Sequence, residues 1–286
     1  MSTLAEVEQA ADALAPAQKR GFVWSRAGMN IGLIIFDWAG TLVDFGCRAP
    51  LAAFQQAFEN AGLPIGDAVA RRPMGAHKRD HVREILRDAE VAERVRTRLR
   101  REPDESLVEE IYREFSSGLP SFMAAHAEAI PGAVETLGWL RGRGIRIGST
   151  TGYTRAMMDV LEPLARAAGI APEWVICADE VPQGRSAPWA CFRIAEQCGV
   201  HPMSRCVKIG DTPADMAEGT NAGMICVGVS ESGNEVGLGP EALAALSSDE
   251  RAQRVAAAER RLRAAGASFV LRSVAELPGW IEAHDA

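Results

Sequence analysis

From Pro131 onward, short apolar runs alternate with stretches of helical periodicity, and this alternation limits the chain more than any other feature. Ile145–Thr151, Trp174–Cys177, Cys206–Asp211, Met224–Val229 and Phe269–Leu271 read as strands. Helices are expected over Gly132–Arg143, Tyr153–Ala168, Ala187–Cys198 and Pro213–Thr220. Such alternation argues for a parallel sheet covered by helices on both faces. An earlier run, Ile31–Phe36, has the length and β-branched content of one more buried strand, and Asp37 and Gly40 follow it. Ligands of these sheets bind beyond the carboxyl ends of the strands. Asp37, Thr151 and Asp211 all fall at such ends, so residues far apart in sequence can meet in one crevice.

Residues 47–128 have a different texture. Pro50 suits the first turn of a helix reaching Asn60, and Gly62 and Pro64 stop it. Lys78–Asp88 carries Val82, Ile85 and Leu86 at helical spacing, and Asp104 opens a helix with Leu107, Ile111 and Phe115 in register. No strand is evident, so the block reads as a helical domain inserted after the first strand. The expected division is an extension over 1–29, a core over 30–46 and 129–286, and a helical cap over 47–128. Ala5–Ala17 has the pattern of a short amphipathic helix. Residues 231–265, a glycine-rich stretch and then a charged helix, read as peripheral.

Composition excludes several classes. The net charge of −7 and the lack of a dominant basic tract argue against a nucleic-acid partner. Arg94–Arg101 is flanked by Glu93 and Glu102 and reads as a solvated face. No apolar run approaches the ~20 residues of a membrane span, and residues 1–30 lack the apolar centre of a signal peptide. Six scattered cysteines with apolar neighbours suggest free thiols in a reducing, cytoplasmic setting. Of the 31 basic residues only Lys19, Lys78 and Lys208 are lysines, so this chain offers few places for chemistry that needs a primary amine.

A lone carboxylate between a buried strand and a glycine turn is well placed to be a nucleophile. The segment Phe36-Asp37-Trp38-Ala39-Gly40-Thr41 resembles the first motif of the haloacid dehalogenase-like superfamily, whose aspartate attacks phosphorus. Gly210-Asp211-Thr212 with Asp215 resembles its last motif, although Gly-Asp alone is equally a tight turn. The resemblance implies Mg²⁺ held by Asp37, Asp211 and the backbone carbonyl of Ala39, with Asp215 in support. Thr151 and Gly152 resemble the second motif, where a hydroxyl and backbone N–H groups hold phosphoryl oxygens; a Thr-initiated turn is the plainer alternative. Arg185 stands where most relatives have lysine, and its alternative is a solvated surface arginine.

Phosphatases of the superfamily carry a general acid two positions after the nucleophile, where this chain has Ala39. A carbon leaving group needs an electron sink instead, and an iminium formed on a lysine amine is one. Lys78 lies among Arg71, Arg72 and Arg79, and neighbouring cations would lower its pKa. His81, at i+3, shares a helical face with it and could move protons. These segments, with Cys47-Arg48-Ala49-Pro50, Arg72-Pro73-Met74-Gly75 and Gly148–Thr154, resemble the phosphonoacetaldehyde hydrolase family over roughly residues 30–275. The resemblance implies a Rossmann-like core, C–P bond hydrolysis through a Lys78 Schiff base and an aspartyl phosphate on Asp37, and a homodimer. Met74, Cys47 and Tyr153 would line the substrate site, although a buried thiol and a packed ring explain the last two as well. Two other readings remain. One is a phosphomonoesterase or phosphomutase drawing its acid from His77 or His81; the other is a non-catalytic binding protein of the same fold.

Overall fold

The computed structural model describes residues 30–284. The expected helix over Ala5–Ala17 and the extension over 1–29 lie outside the described residues. Six parallel strands form one sheet: β1 (Leu33–Phe36), β2 (Arg146–Thr150), β3 (Trp174–Ile176), β4 (Cys206–Gly210), β5 (Ile225–Val229) and β6 (Phe269–Leu271). Their order is β3-β2-β1-β4-β5-β6. Chain progression reverses at β1, between β2 and β4, which makes a crevice at the carboxyl ends of these central strands.

Both faces of the sheet are apolar because both are covered. On β1, Ile34 and Phe36 join one cluster with Ile147, Val207 and Val227. Leu33 and Ile35 point the other way, onto Ile194, Cys191 and Cys206. A strand buried on both sides must be a continuous apolar run, which is what Ile31–Phe36 supplies.

Between β1 and residue 128 the described chain forms the α-helices α1 (Arg48–Asn60), α2 (Asp67–Arg71), α3 (Lys78–Arg87), α4 (Ala89–Arg94) and α5 (Glu105–Ala125). Asp104 caps α5 by accepting a hydrogen bond from Leu107 N at 2.9 Å. Phe54 of α1 stacks on Phe115 of α5 with centroids 4.1 Å apart, at the centre of this helical block. Each fully buried ring contributes about 1.5–3 kcal/mol. The two segments that join the block to the sheet run side by side: Asp44 N donates to Glu128 O at 3.2 Å and Ile130 N to Leu42 O at 2.9 Å. Asp44 then caps α1 with both carboxylate oxygens, accepting from Arg48 N at 2.9 Å and Ala49 N at 3.0 Å.

The remaining helices are α6 (Ala133–Gly142), α7 (Arg155–Ala167), α8 (Trp189–Cys198), α9 (Pro213–Asn221), α10 (Pro240–Ala244), α11 (Ser248–Ala264) and α12 (Leu277–His284). Strands and helices fall within a few residues of their expected bounds. Residues 231–239 differ from expectation. This stretch packs on the crevice: Ser232 Oγ donates to Gly40 O at 2.7 Å and Asn234 N to Asp211 Oδ2 at 2.7 Å. A Cβ on Gly233 would lie 2.6 Å from Asp211 Cβ and one on Gly237 2.8 Å from Arg71 Nε, so glycine lets this stretch press against both the strand ends and the helical block.

Candidate active site

Asp37 continues the β1 ladder, its N–H donating to Ile209 O at 2.8 Å, and the chain then turns sharply over Trp38. Gly40 has φ +83°, and a Cβ there would lie 2.3 Å from Asp211 Oδ2, so the turn requires glycine. Trp38 anchors it from behind: buried, its Nε1 donates to Ser149 Oγ at 2.9 Å. The carboxylates of Asp37, Asp211 and Asp215 thereby gather at neighbouring strand ends, each offering an oxygen within 4.8 Å of the others.

Behind them lies a buried ionic network. Arg185 places Nη2 2.7 Å from Asp37 Oδ1, Nη1 2.9 Å from Asp215 Oδ1 and Nε 3.0 Å from Glu218 Oε2. Its side chain is 2 % exposed, which rules out the solvated-surface alternative. Lys208 sits 3.1 Å from Asp215 Oδ1 and 3.0 Å from Glu218 Oε2. The Thr150 hydroxyl accepts from Lys208 at 2.8 Å and from Arg185 at 2.9 Å while donating to Glu218 at 2.8 Å. Asp215 also closes a capping box at the start of α9, accepting from Thr212 N at 3.2 Å and in addition from Thr212 Oγ1 at 2.6 Å. Lys208, Glu218 and Asn234 were not anticipated. A lone lysine inside an apolar strand of a lysine-poor chain was a signal for the first. Glu218, three residues after Asp215 on the same face of α9, was a weaker one.

Charge governs the titration of this group. Four carboxylates face two fixed cations, Arg185 and Lys208. Burial raises the pKa of Asp37 above the ordinary range, Arg185 opposes the rise, and Asp215 reinforces it. Burial raises Asp211 further, and the negative charges of Asp37 and Asp215 add to the effect. Asp215 goes the other way: burial opposes its ionisation, but Arg185, Lys208 and Thr212 outweigh burial and hold it low. The oxygens of Asp215 are therefore committed. Asp211 Oδ1 and Asp215 Oδ1 are both buried without a hydrogen-bond partner, but Asp215 Oδ1 lies between Arg185 and Lys208 whereas Asp211 has no ion-pair partner among the described residues; Asp211 Oδ2 accepts from Asn234 N and, at 3.2 Å, from Cys47 Sγ. An excess of negative charge and a bare buried carboxylate oxygen suit a hard divalent cation.

In front of the carboxylates is a small cavity of about 20 Å³ lined by Asp37, Ala39, Cys47, Met74, Lys78, Thr151, Gly152, Tyr153 and Arg185, together with Pro50, Gly75 and Thr212. The structure thus brings together nearly all the expected site residues. Thr151 Oγ1 also accepts from Tyr153 N at 3.1 Å, so the Thr-initiated turn exists within the site. His81 stands back from the wall. Fully buried, its ring lies 3.9 Å from that of Phe54, and Nε2 is 2.7 Å from Ala70 O. Burial, then Lys78, drive its pKa well below the usual value, so it is neutral, with Nε2–H donating to Ala70.

Lys78 is the first residue of α3 and is 4 % exposed. Its Nζ lies 4.9 Å from the Tyr153 ring centroid. Burial brings its pKa down to about 8, while Asp37 and Cys47 pull upward. The expected direction holds, but the cause is different. Arg71, Arg72 and Arg79 point away, to Gly46 O, Asp88 and Glu109. Desolvation takes the place of cationic crowding, and the positive end of α3 works in the same direction.

The parallel sheet with carboxylates gathered at the ends of its central strands defines an α/β protein with a Rossmann-like core. The family model for haloacid dehalogenase-like hydrolases matches residues 31–223. A phosphonoacetaldehyde hydrolase of Nitratidesulfovibrio vulgaris is 46 % identical over 253 residues, covering 88 % of this chain and 90 % of the relative. A bifunctional phosphonoacetaldehyde hydrolase/aminoethylphosphonate transaminase of Clostridioides difficile is 41 % identical over 250 residues, 87 % of this chain and 39 % of that longer protein. The crystal structure of a phosphonoacetaldehyde hydrolase-like protein from Oleispira antarctica superimposes with a TM-score of 0.88 at 35 % identity, covering 92 % of this chain and 95 % of that one. This chain is a haloacid dehalogenase-like hydrolase and belongs to the phosphonoacetaldehyde hydrolase family.

Proposed function

We propose that the protein hydrolyses the C–P bond of phosphonoacetaldehyde to acetaldehyde and phosphate. The observation that carries this reading is a buried lysine amine facing a strand-end aspartate across one small cavity, with alanine where a phosphatase has its acid. In this mechanism the Lys78 amine condenses with the aldehyde, releasing water and leaving an iminium. An oxygen of Asp37 attacks phosphorus. The C–P bond breaks, and its electron pair moves into the iminium to give an enamine, so no alkoxide needs a proton from position 39. Water then cleaves the aspartyl phosphate. Protonation of the enamine carbon and hydrolysis of the imine release acetaldehyde and restore the amine.

Each remaining group has a role in this scheme. Arg185, fixed by Asp215 and Glu218, offers positive charge to Asp37 and the phosphonate. Thr151 and the N–H groups at Gly152 would hold phosphoryl oxygens. Met74, Cys47 and Tyr153 shape the space around the two-carbon unit and exclude water. His81, neutral and tied to Ala70, would hold the Lys78 helix in place rather than carry a proton itself. Asp37, Asp211 and the Ala39 carbonyl would hold Mg²⁺, with Asp215 behind them. When bound, the ion supplies positive charge against the repulsion between carboxylate and phosphonate.

Residues 47–128 form, in this reading, a cap domain over a core of 30–46 and 129–286. Support for a place in 2-aminoethylphosphonate breakdown comes from the C. difficile relative, whose name joins this hydrolase to the transaminase. Support for a homodimer comes from Trp189 and Phe192, edge to face at 6.3 Å and 47 % and 38 % exposed on α8. A cytoplasmic location is in keeping with six free cysteines, five of them buried. The test is borohydride reduction with phosphonoacetaldehyde present, followed by peptide mass mapping. An adduct on Lys78 with loss of phosphate release is expected. Hydrolysis of ordinary phosphate esters without an adduct would establish a phosphatase instead.

A further inference from the structure

Lys78 comes from the helical block, whereas Asp37, Thr151 and Asp211 come from the ends of the strands and Arg185 from the loop that follows β3. The distance between amine and aspartate therefore depends on how the block is held to the sheet. One side chain of the block makes most of the polar ties near the site. Arg71, the last residue of α2, donates from Nη1 to Gly46 O at 2.8 Å and to Asn234 Oδ1 at 3.1 Å, and from Nη2 to Gly237 O at 2.8 Å. Asn234 answers by donating from Nδ2 to Arg71 O at 3.2 Å. The backbone N–H of the same Asn234 holds Asp211 at 2.7 Å. Between Arg71 and Lys78 the chain presses against the strand ends without slack. A Cβ on Gly152 would come within 2.5 Å of Ala76 O.

We propose that Arg71 is a latch: it fastens the helical block to the 231–239 loop and so acts as a positioning residue for Lys78, tying closure of the block to the loop that holds Asp211. The role of Lys78 in this statement rests on the C–P hydrolase reading; the latch itself does not. Arg71 touches neither the cavity nor the three carboxylates. Its partners are two backbone carbonyls and one amide side chain. Asn234→Ala removes the side-chain ties and leaves the backbone donor to Asp211 in place.

The chain's few lysines make the test clean. Full-length protein with Mg²⁺ is treated with trinitrobenzenesulfonate, a bulky amine reagent, and labelling is mapped by peptide. In the wild type Lys78 labels slowly. In Arg71→Met it is expected to label at least about tenfold faster, the equivalent of losing one charge-assisted hydrogen bond. Asn234→Ala shifts it the same way by less. Lys208, 0 % exposed in the sheet, is the internal control and stays unlabelled. With phosphonoacetaldehyde, KM rises by a similar factor and kcat changes little, because saturating substrate restores closure. Lys78 labelling unchanged in both variants would overturn the latch. So would Lys78 and Lys208 becoming reactive together, which is the signature of general destabilisation. The labelling arm needs no turnover, so an enzyme inactive on phosphonoacetaldehyde would refute the proposed reaction and leave the latch decided by labelling.

Discussion

Replacing Lys78 by methionine should abolish C–P cleavage and make the protein more stable. The structure sets the size of the effect. Burial brings the amine from 10.5 to about 8, so the folded state disfavours the ammonium by roughly 2.5 units, or about 3 kcal/mol at 1.36 kcal/mol per unit. Methionine has a similar length and no charge, so it fills the same space without that cost. The pH dependence follows from linkage. Between pH 8 and 10.5 the unfolded chain binds the lysine proton and the folded chain does not, so wild-type stability rises with pH there. Below the folded value both states are protonated and the penalty is present in full. Urea unfolding with EDTA present, compared at several pH values, measures the difference between the two proteins. The variant should lead by about 3 kcal/mol at pH 7 and about 2 at pH 9, with the lead nearly gone at 10.5. Taking the difference between proteins cancels the other ionising groups. A variant no more stable than wild type at pH 7, or a lead that does not shrink above pH 8, would refute desolvation as the cause of the shift.

The same shift predicts that kcat/KM climbs about tenfold per pH unit and levels near pH 8; a limb still rising toward 10.5 would mean that burial does not lower the amine's pKa, and a flat profile below pH 8 that the free amine is not the reacting form. Lys208→Met leaves Asp215 and Glu218 short of a cation and should cost about 3–5 kcal/mol, read as a lowered urea midpoint. EDTA should abolish turnover and added Mg²⁺ restore it, monitored by phosphate release; full activity after exhaustive chelation would contradict the cation assignment at Asp37 and Asp211. Trp189→Glu should convert a dimer to monomer in sedimentation velocity, with the far-UV spectrum unchanged.

The sheet and the central carboxylates were legible in the sequence because they depend on local pattern. A strand buried on both faces leaves a continuous apolar run, and a carboxylate at its end breaks that run conspicuously. Asp37, Thr151 and Asp211 were found in this way, and Lys78 through its rarity and the alanine at position 39. What was missed depends on contacts across long stretches of chain. Nothing near Asn234 reveals that it meets Arg71, 163 residues away, and a glycine-rich loop looks the same whether it is peripheral or pressed against a site. Lys208 was visible as a charge inside an apolar strand, but its role was not, because its buried partners Asp215, Glu218 and Thr150 stand on other elements. The cause of the Lys78 shift was misread for a related reason. Sequence shows which arginines are nearby, but not that each is turned toward an acceptor elsewhere.

The origin of Lys78 bears on how such an enzyme arises and could be redirected. Every carboxylate and cation of the buried ionic network stands on the sheet or on the loops and helices that follow its strands. The amine that would choose which bond breaks arrives on a helix inserted in a single connection. Two short segments lying side by side carry the whole insert, so the sheet need not change when the insert does. A different set of helices on the same two stems would keep the nucleophile and its counter-charges intact while offering them another leaving group. In the proposed reaction, bond choice and phosphoryl transfer would be separable in the gene as well as in space.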